Sequence, residues 1–153
     1  MKITENFTYE EMTRTSQPYP NVPNAEQLVN ICRLCFFFLQ PLRDNLKQII
    51  DVKCAFRSEK VNNAIGGTKE SQHLKGQAVD INCAKIPKLE LFRYIGNNMD
   101  FDQLIYEVDS NCLHVSYVSK QYNRKQIMLR KIVNGDKKYT VCTPESLKSL
   151  QKI

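Results

Sequence analysis

The feature that most constrains this fold is a strict two-residue alternation in three short segments. Across residues 77–82, Ala78, Asp80 and Asn82 fall on one side and Val79 and Ile81 on the other, the period of a strand with one polar face. Residues 103–108 and 112–118 are also strand-like, and Asp109-Ser110-Asn111 between them contains side chains that turns favour. If Ser110 and Asn111 form a two-residue loop, Val108 faces Leu113, Glu107 faces His114 and Ile105 faces Ser116. That register collects Leu104, Tyr106, Val108, Leu113, Val115 and Tyr117 on one core side and Glu107, His114 and Ser116 on the other.

Helical signals precede these strands. Thr8-Tyr9-Glu10-Glu11 reads as a capping box for a short helix, and Pro18, Pro20 and Pro23 mark a surface loop. Asn24 can cap a long helix on which Leu28, Ile31, Cys32, Cys35, Leu39, Leu42 and Leu46 recur at three- and four-residue steps. Pro41 should kink or split it. Residues 49–56 suggest a strand, 61–67 a short helix or turn closed by glycine, and 87–97 a helix. Residues 126–133 and 137–141 flank Asn134-Gly135 as a hairpin, and Thr143-Pro144 starts a terminal helix. The order predicts an α+β fold, an antiparallel sheet packed against N-terminal helices, in a single domain over residues 1–153.

Composition narrows the class. The chain has 153 residues, with 22 Lys and Arg against 16 Asp and Glu, a formal charge of +6. The basic residues are dispersed, with only a modest concentration over residues 120–138, so a solvated surface is expected rather than a specific nucleic-acid face. The longest apolar run, residues 34–39, falls far short of the roughly 20 residues that span a bilayer. The N-terminus lacks the apolar core of a secretory signal, so synthesis in the cytoplasm is expected. Six cysteines without an export signal read as free buried thiols, Cys32-x-x-Cys35 included, because that pair lies within an apolar helical pattern.

Only two histidines are present, and both lie beside polar groups in apolar, strand-like surroundings: His73 within Ser71-Gln72-His73-Leu74-Lys75-Gly76-Gln77-Ala78-Val79-Asp80, and His114 within Leu113-His114-Val115-Ser116. His73, Asp80 and His114 would give Zn²⁺ two imidazole nitrogens and one carboxylate oxygen, with the fourth tetrahedral position open, the arrangement of a catalytic rather than a structural ion. Such a site needs a proton acceptor. Glu107 is the first candidate, because the hairpin register sets it opposite His114; it could equally orient His114 by accepting its free ring N–H. Asp109, at the turn, is the second.

The segment from Ser71 to Asp80, together with His114-Val115-Ser116, resembles the signature of the M15 zinc peptidases, the D-alanyl-D-alanine carboxypeptidases and peptidoglycan endopeptidases. The similarity extends from about residue 49 to 117, including Phe56-Arg57-Ser58 and Asp102-Gln103-Leu104-Ile105; residues 1–48 fit single-domain phage and prophage members more loosely. The resemblance implies the zinc DD-peptidase (Hedgehog-like) fold, His73, Asp80 and His114 as zinc ligands, and Arg57 as the cation that binds a substrate carboxylate or polarises its carbonyl. It also implies Ser71 and Ser116 as supporting donors, with Gly76 and Ala78 as small residues allowing close approach. The implied activity is hydrolysis of D-amino-acid-containing peptidoglycan stem or cross-link peptides by a monomer, in the manner of a lysin released to the wall by a phage lysis system. Many members place an acid three residues before the last histidine ligand, where this chain has Asn111. That departure sustains the alternative of a catalytically inactive zinc-holding binding or structural virion module.

Overall fold

The first helices start as their side chains dictate. In the computed structural model, which describes residues 1–150, helix α1 (Tyr9–Met12) begins where the Thr8 hydroxyl accepts the Glu11 amide at 3.2 Å. Helix α2 (Ala25–Leu34) begins at a reciprocal box in which the Asn24 and Gln27 side chains each accept the other's backbone amide. The break expected at Pro41 takes the form of a π-helical turn, Cys35–Leu39, followed directly by α3 (Gln40–Leu46). Proline offers no amide and its ring crowds the carbonyl four residues back, so widening the preceding turn relieves the clash without parting the helices. Ile31, Leu34, Cys35, Phe38, Leu39 and Leu42 stay buried along this rod, while Phe36 and Phe37 are exposed.

Six strands follow: β1 (Asp51–Cys54), β2 (Ala78–Asn82), β3 (Gln103–Glu107), β4 (Leu113–Ser116), β5 (Gln126–Val133) and β6 (Asp136–Cys142), ordered β1-β2-β4-β3-β5-β6. The fold is α+β, but the sheet is not wholly antiparallel, because β3 and β5 run parallel. The far edge of β4 is already taken by β2, so the returning chain joins at the free edge of β3. Asp102 fixes that return: its carbonyl accepts the Gln126 amide and its buried carboxylate accepts the backbone and guanidinium of Arg124. In the β5–β6 turn, Asn134 and Gly135 both have positive φ, as an Asn-Gly hairpin requires.

The β3–β4 register differs from the expected one. Ile105, not Glu107, lies opposite His114, and the connection spans five residues rather than two. Past Glu107 the chain follows β5 instead of β4: the Val108 amide donates to the Arg130 carbonyl at 2.9 Å. The Lys88 ammonium meanwhile ties down the carbonyls of Glu107 and Ser110. A slip of two residues leaves every side chain on its expected face, so the apolar set Leu104, Leu113, Val115 and Tyr117 is still buried.

Shorter elements complete the chain: α4 (Glu59–Ala64) capped by Ser58, a 3-10 turn (Gln72–Lys75), α5 (Lys88–Asn98), and α6 (Pro144–Ser149) capped by Thr143. The pairings align Cys54, Asp80, His114, Ile105, Met128 and Val141 in a row across one face of the sheet, with Glu107, Arg130 and Tyr139 in the adjacent row. The other face, with Val79, Ile81, Leu104, Leu113 and Val115, shares one core with Leu34, Phe38 and Leu42 of the helical rod and with Phe92 and Ile95 of α5.

Candidate metal centre

Three elements deliver the ligand candidates. Asp80 and His114 stand opposite each other on β2 and β4, and His73 reaches over them from the 3-10 turn. Asp80 Oδ1 lies 3.3 Å from His73 Nε2 and 3.2 Å from His114 Nδ1, and the two imidazole rings meet edge to face at 5.1 Å. Asp80 Oδ2 accepts Arg57 Nη2 at 3.2 Å.

The turn is placed by helix α2. Gln27 Nε2 donates to the Leu74 carbonyl and Asn30 Nδ2 to the Lys75 carbonyl, both at 2.9 Å. Gly76, at φ +70, sits so close to the helix that a Cβ would lie 2.5 Å from the Gln27 carbonyl oxygen. Its smallness serves helix packing, while Ala78 is buried outright. Ser71 and Ser116 act as acceptors, Ser71 Oγ from the His73 amide and Ser116 Oγ from the Gln103 amide.

The hydrogen bonds of His73 define what this cluster fits. The Ala55 carbonyl lies 2.6 Å from His73 Nδ1 and can only accept, so the proton sits on Nδ1 and Nε2 presents a lone pair. That lone pair faces a carboxylate oxygen, two acceptors 3.3 Å apart with no hydrogen of their own between them. A proton or a cation must lie there. Burial pushes the His73 imidazole below its ordinary range, against the opposing pull of Asp80, which disfavours the proton. Burial also works to raise the Asp80 carboxyl, but positive charge beside it, at His73 first and then at His114 whenever an imidazole carries the proton, outweighs it and holds it well below the usual carboxylate range. One ionised carboxylate and two imidazole nitrogens suit a borderline-soft divalent cation, and the Ala55 carbonyl orients its ligand as second partners of metal-binding histidines do.

Glu107 also enters the cleft: its carboxylate, Asp80 and His114 bring ligand atoms within 4.8 Å of one another. It lies diagonal to His114 and is held by Arg130, Nη1 to Oε1 at 3.3 Å. Asp109 is elsewhere, accepting the Ile132 amide at 3.0 Å, and does not line the cleft. Arg57 is set by Asn21, whose side-chain amide donates to the carbonyls of Thr13 and Phe56 and accepts the Ser58 amide at 2.6 Å. Asn21 lies in the proline-marked loop, where nothing local signals a role; only its contact across 35 residues reveals the clamp.

Cys54, expected from its sequence context to be a buried packing thiol, is a further member of the cluster. Its Sγ lies within 4.8 Å of the ligand atoms of His73 and Asp80 and accepts Arg57 Nε at 3.0 Å. All six cysteines are free. The strand alternation around Cys54 gave no hint, because a bulge between Val52 and Cys54 resets the pairing.

Two imidazoles, one from the sheet and one from the 3-10 turn, converge with a sheet carboxylate in an open cleft of about 340 Å³ beside a second carboxylate and an arginine, the framework of a metal-dependent hydrolase. Residues 5–116 match the family model for Peptidase M15, and the chain belongs to that family of metallopeptidases. The match takes in Arg57, His73, Asp80, Glu107 and His114 and stops at the end of β4, so β5, β6 and α6 lie beyond it. Comparison with curated proteins finds no match.

Proposed function

We propose that this protein is a zinc peptidase that hydrolyses peptide bonds in the D-amino-acid-containing stem or cross-link peptides of bacterial peptidoglycan, in the manner of a lysin. The observation that carries the reading is the lone pair of His73 Nε2 facing Asp80 Oδ1 beside His114 Nδ1, a cation site built from the residues a three-ligand zinc requires. His73, Asp80 and His114 would hold the ion. Bound there, Zn²⁺ supplies Lewis acidity toward a carbonyl and lowers the pKa of water to about 7.

The remaining work falls to side chains. Glu107 would accept the proton of the attacking water and return it to the leaving nitrogen as the C–N bond breaks, so its carboxylate is regenerated. Arg130, its Nη1 3.3 Å from Oε1, holds that carboxylate in the cleft. Arg57, with its planar fork, would engage the substrate carboxylate or carbonyl. All of these groups come from one chain, so a monomer suffices, and no helix among the described residues is long and apolar enough to cross a membrane.

The alternative, a zinc-holding virion module without catalysis, is favoured by Asn111, which stands where many family members carry an acid. Glu107 in the same cleft supplies the missing carboxylate and weighs against it. A digest of purified peptidoglycan by zinc-loaded protein, followed by mass spectrometry of the soluble products, separates the two. Released stem-peptide fragments or D-alanine, abolished by chelator, are expected; stoichiometric zinc with no release would establish the inactive module.

A further inference from the structure

We propose that the cleft continues past Arg57 into a small cationic pocket centred on Arg14, and that this pocket takes the C-terminal carboxylate of a peptide. The protein then acts at the end of a peptide rather than within a chain. The inference rests on the peptidase reading and names a feature of its substrate. The pocket, of about 140 Å³, is formed by residues 14–17 after α1, by the end of β1 and by α4 with the residue that follows it. Arg57 and Ile65 line both cavities, so the two meet at the guanidinium whose Nη2 reaches Asp80.

The lining points to the ligand. It holds three cations, Arg14, Lys53 and Arg57, and no carboxylate. The acids nearby lie outside it: Asp80 pairs with Arg57 from the cleft side, Asp51 meets Lys53 at 3.9 Å, and Glu11 acts on Arg14 only through its charge. Arg57 donates Nε to Cys54 Sγ and Nη2 to Asp80, which leaves both Nη1 hydrogens without a partner among the described residues. Arg14 Nη2 donates to the Val52 carbonyl at 2.7 Å, fixing that guanidinium beside β1 with Nε and Nη1 free for a ligand. The Thr15 and Ser16 hydroxyls add neutral donors. A carboxylate answers two arginine forks better than an amide does, because it brings charge and a planar pair of acceptors together.

Backbone bonds hold the two arginines in fixed relation. The Asn21 side chain donates to the carbonyls of Thr13 and Phe56 and accepts the Ser58 amide, and the Phe56 amide donates to the Met12 carbonyl at 3.0 Å. The residues on either side of Arg57 are thereby tied to the residue before Arg14, so little ordering remains to be done when a ligand arrives. Buried Phe56 and Val61 form the floor. A cavity less than half the size of the cleft, about 140 against about 340 Å³, suits a chain end with a small side chain and not a continuing chain. In a peptide of small neutral residues the terminal carboxylate is the only one there is.

The test uses tetrapeptides of alanine and D-alanine, labelled with fluorescein at the N-terminus, in three forms: the C-terminal acid, the C-terminal amide, and an amide with Glu as its last residue. Binding is measured by fluorescence polarisation on the chelator-treated full chain, and turnover by mass spectrometry on zinc-loaded protein. The acid should bind about tenfold more tightly than the amide, the size of one charge-assisted contact. Arg14 is exposed, so its variants should fold, which circular dichroism checks. Arg14→Gln should cut the acid preference to about twofold and Arg14→Lys restore part of it, with the change in turnover falling on KM. Acid-selective binding without cleavage would sink the peptidase reading while the pocket stands. Binding of the Glu amide as tight as that of the acid would overturn the terminal assignment, since a side-chain carboxylate would then serve as well. Equal binding of acid and amide, a preference that survives Arg14→Gln, cleavage of the amide as fast as the acid, or no binding of any peptide would overturn the pocket and leave Arg14 as a surface arginine bracing β1.

Discussion

Asp80 serves three partners with two oxygens, Oδ1 toward both imidazoles and Oδ2 toward Arg57, so the site is organised around the acid as much as around the histidines. His73→Ala and His114→Ala should each lose stoichiometric zinc, read by inductively coupled plasma mass spectrometry, while far-UV circular dichroism stays native; full zinc in both variants would rule the site out. Glu107→Gln should keep the metal but lower peptide hydrolysis by ~10²-fold, the loss typical of a missing general base. Asp109→Asn should stay within about twofold, because an amide oxygen can still accept the Ile132 amide. Asp102 has a role in stability. Burial would raise its carboxyl, but hydrogen bonds from Arg124 and Gln72 outweigh this and hold it below the usual value. With the folded pKa below the unfolded value near 3.9, the unfolded chain binds more protons between the two. The contribution is therefore complete above about pH 4 and is lost as pH falls through the folded value. Asp102→Asn should cost about 1–3 kcal/mol at pH 7, and in urea titrations the gap to the parent protein should shrink below pH 4.

At the scale of elements, the 3-10 turn carrying His73 is held against α2 by Gln27, Asn30 and the bare face of Gly76. Gly66 shares the left-handed conformation of Gly76, at φ +71, but has open space around it. Gly66→Ala should therefore cost only the roughly 1–2 kcal/mol of the strained backbone. Gly76→Ala adds a collision with backbone that cannot rotate away, so it should cost clearly more and speed zinc release by displacing His73. Equal unfolding free energies for the two variants would show that the turn can drift from the helix at no cost. The hairpin and helix signals were legible in advance wherever the cause was local: Asn24 and Thr143 as caps, Asn134-Gly135 as a turn. The π-helical turn was legible only as trouble at Pro41, since its form depends on keeping Phe38 and Leu39 in the core.

For the molecule as a whole, the core does not pass through the metal centre: the ligands stand on the face of the sheet opposite the main cluster. Chelator-treated protein should retain its secondary structure and unfold cooperatively, with a Tm that rises as free zinc increases, because an ion that binds only the folded state stabilises it by mass action. Collapse of the fold on chelation would contradict this. Protein purified without reductant should show six titratable thiols on denaturation, as the free cysteines require.

Alternation and capping were sufficient to determine the α+β class, most element positions and the shared face of Asp80 and the strand bearing His114, because these depend on neighbours in sequence or on which face a two-residue period selects; the convergence of His73 with them was implied by the resemblance to the M15 signature, not by periodicity. Glu107 reached the cleft despite a wrong register for the same reason, an even slip preserving the face. Only the tertiary structure decided the parallel β3–β5 pair, the Asn21 clamp behind Arg57, Cys54 beside the ligands, and the wall of Arg130, Lys137 and Tyr139. Each depends on which distant strand takes a free edge or which carbonyl lacks a donor, and those are settled by competition across the whole sheet rather than by any local run of residues.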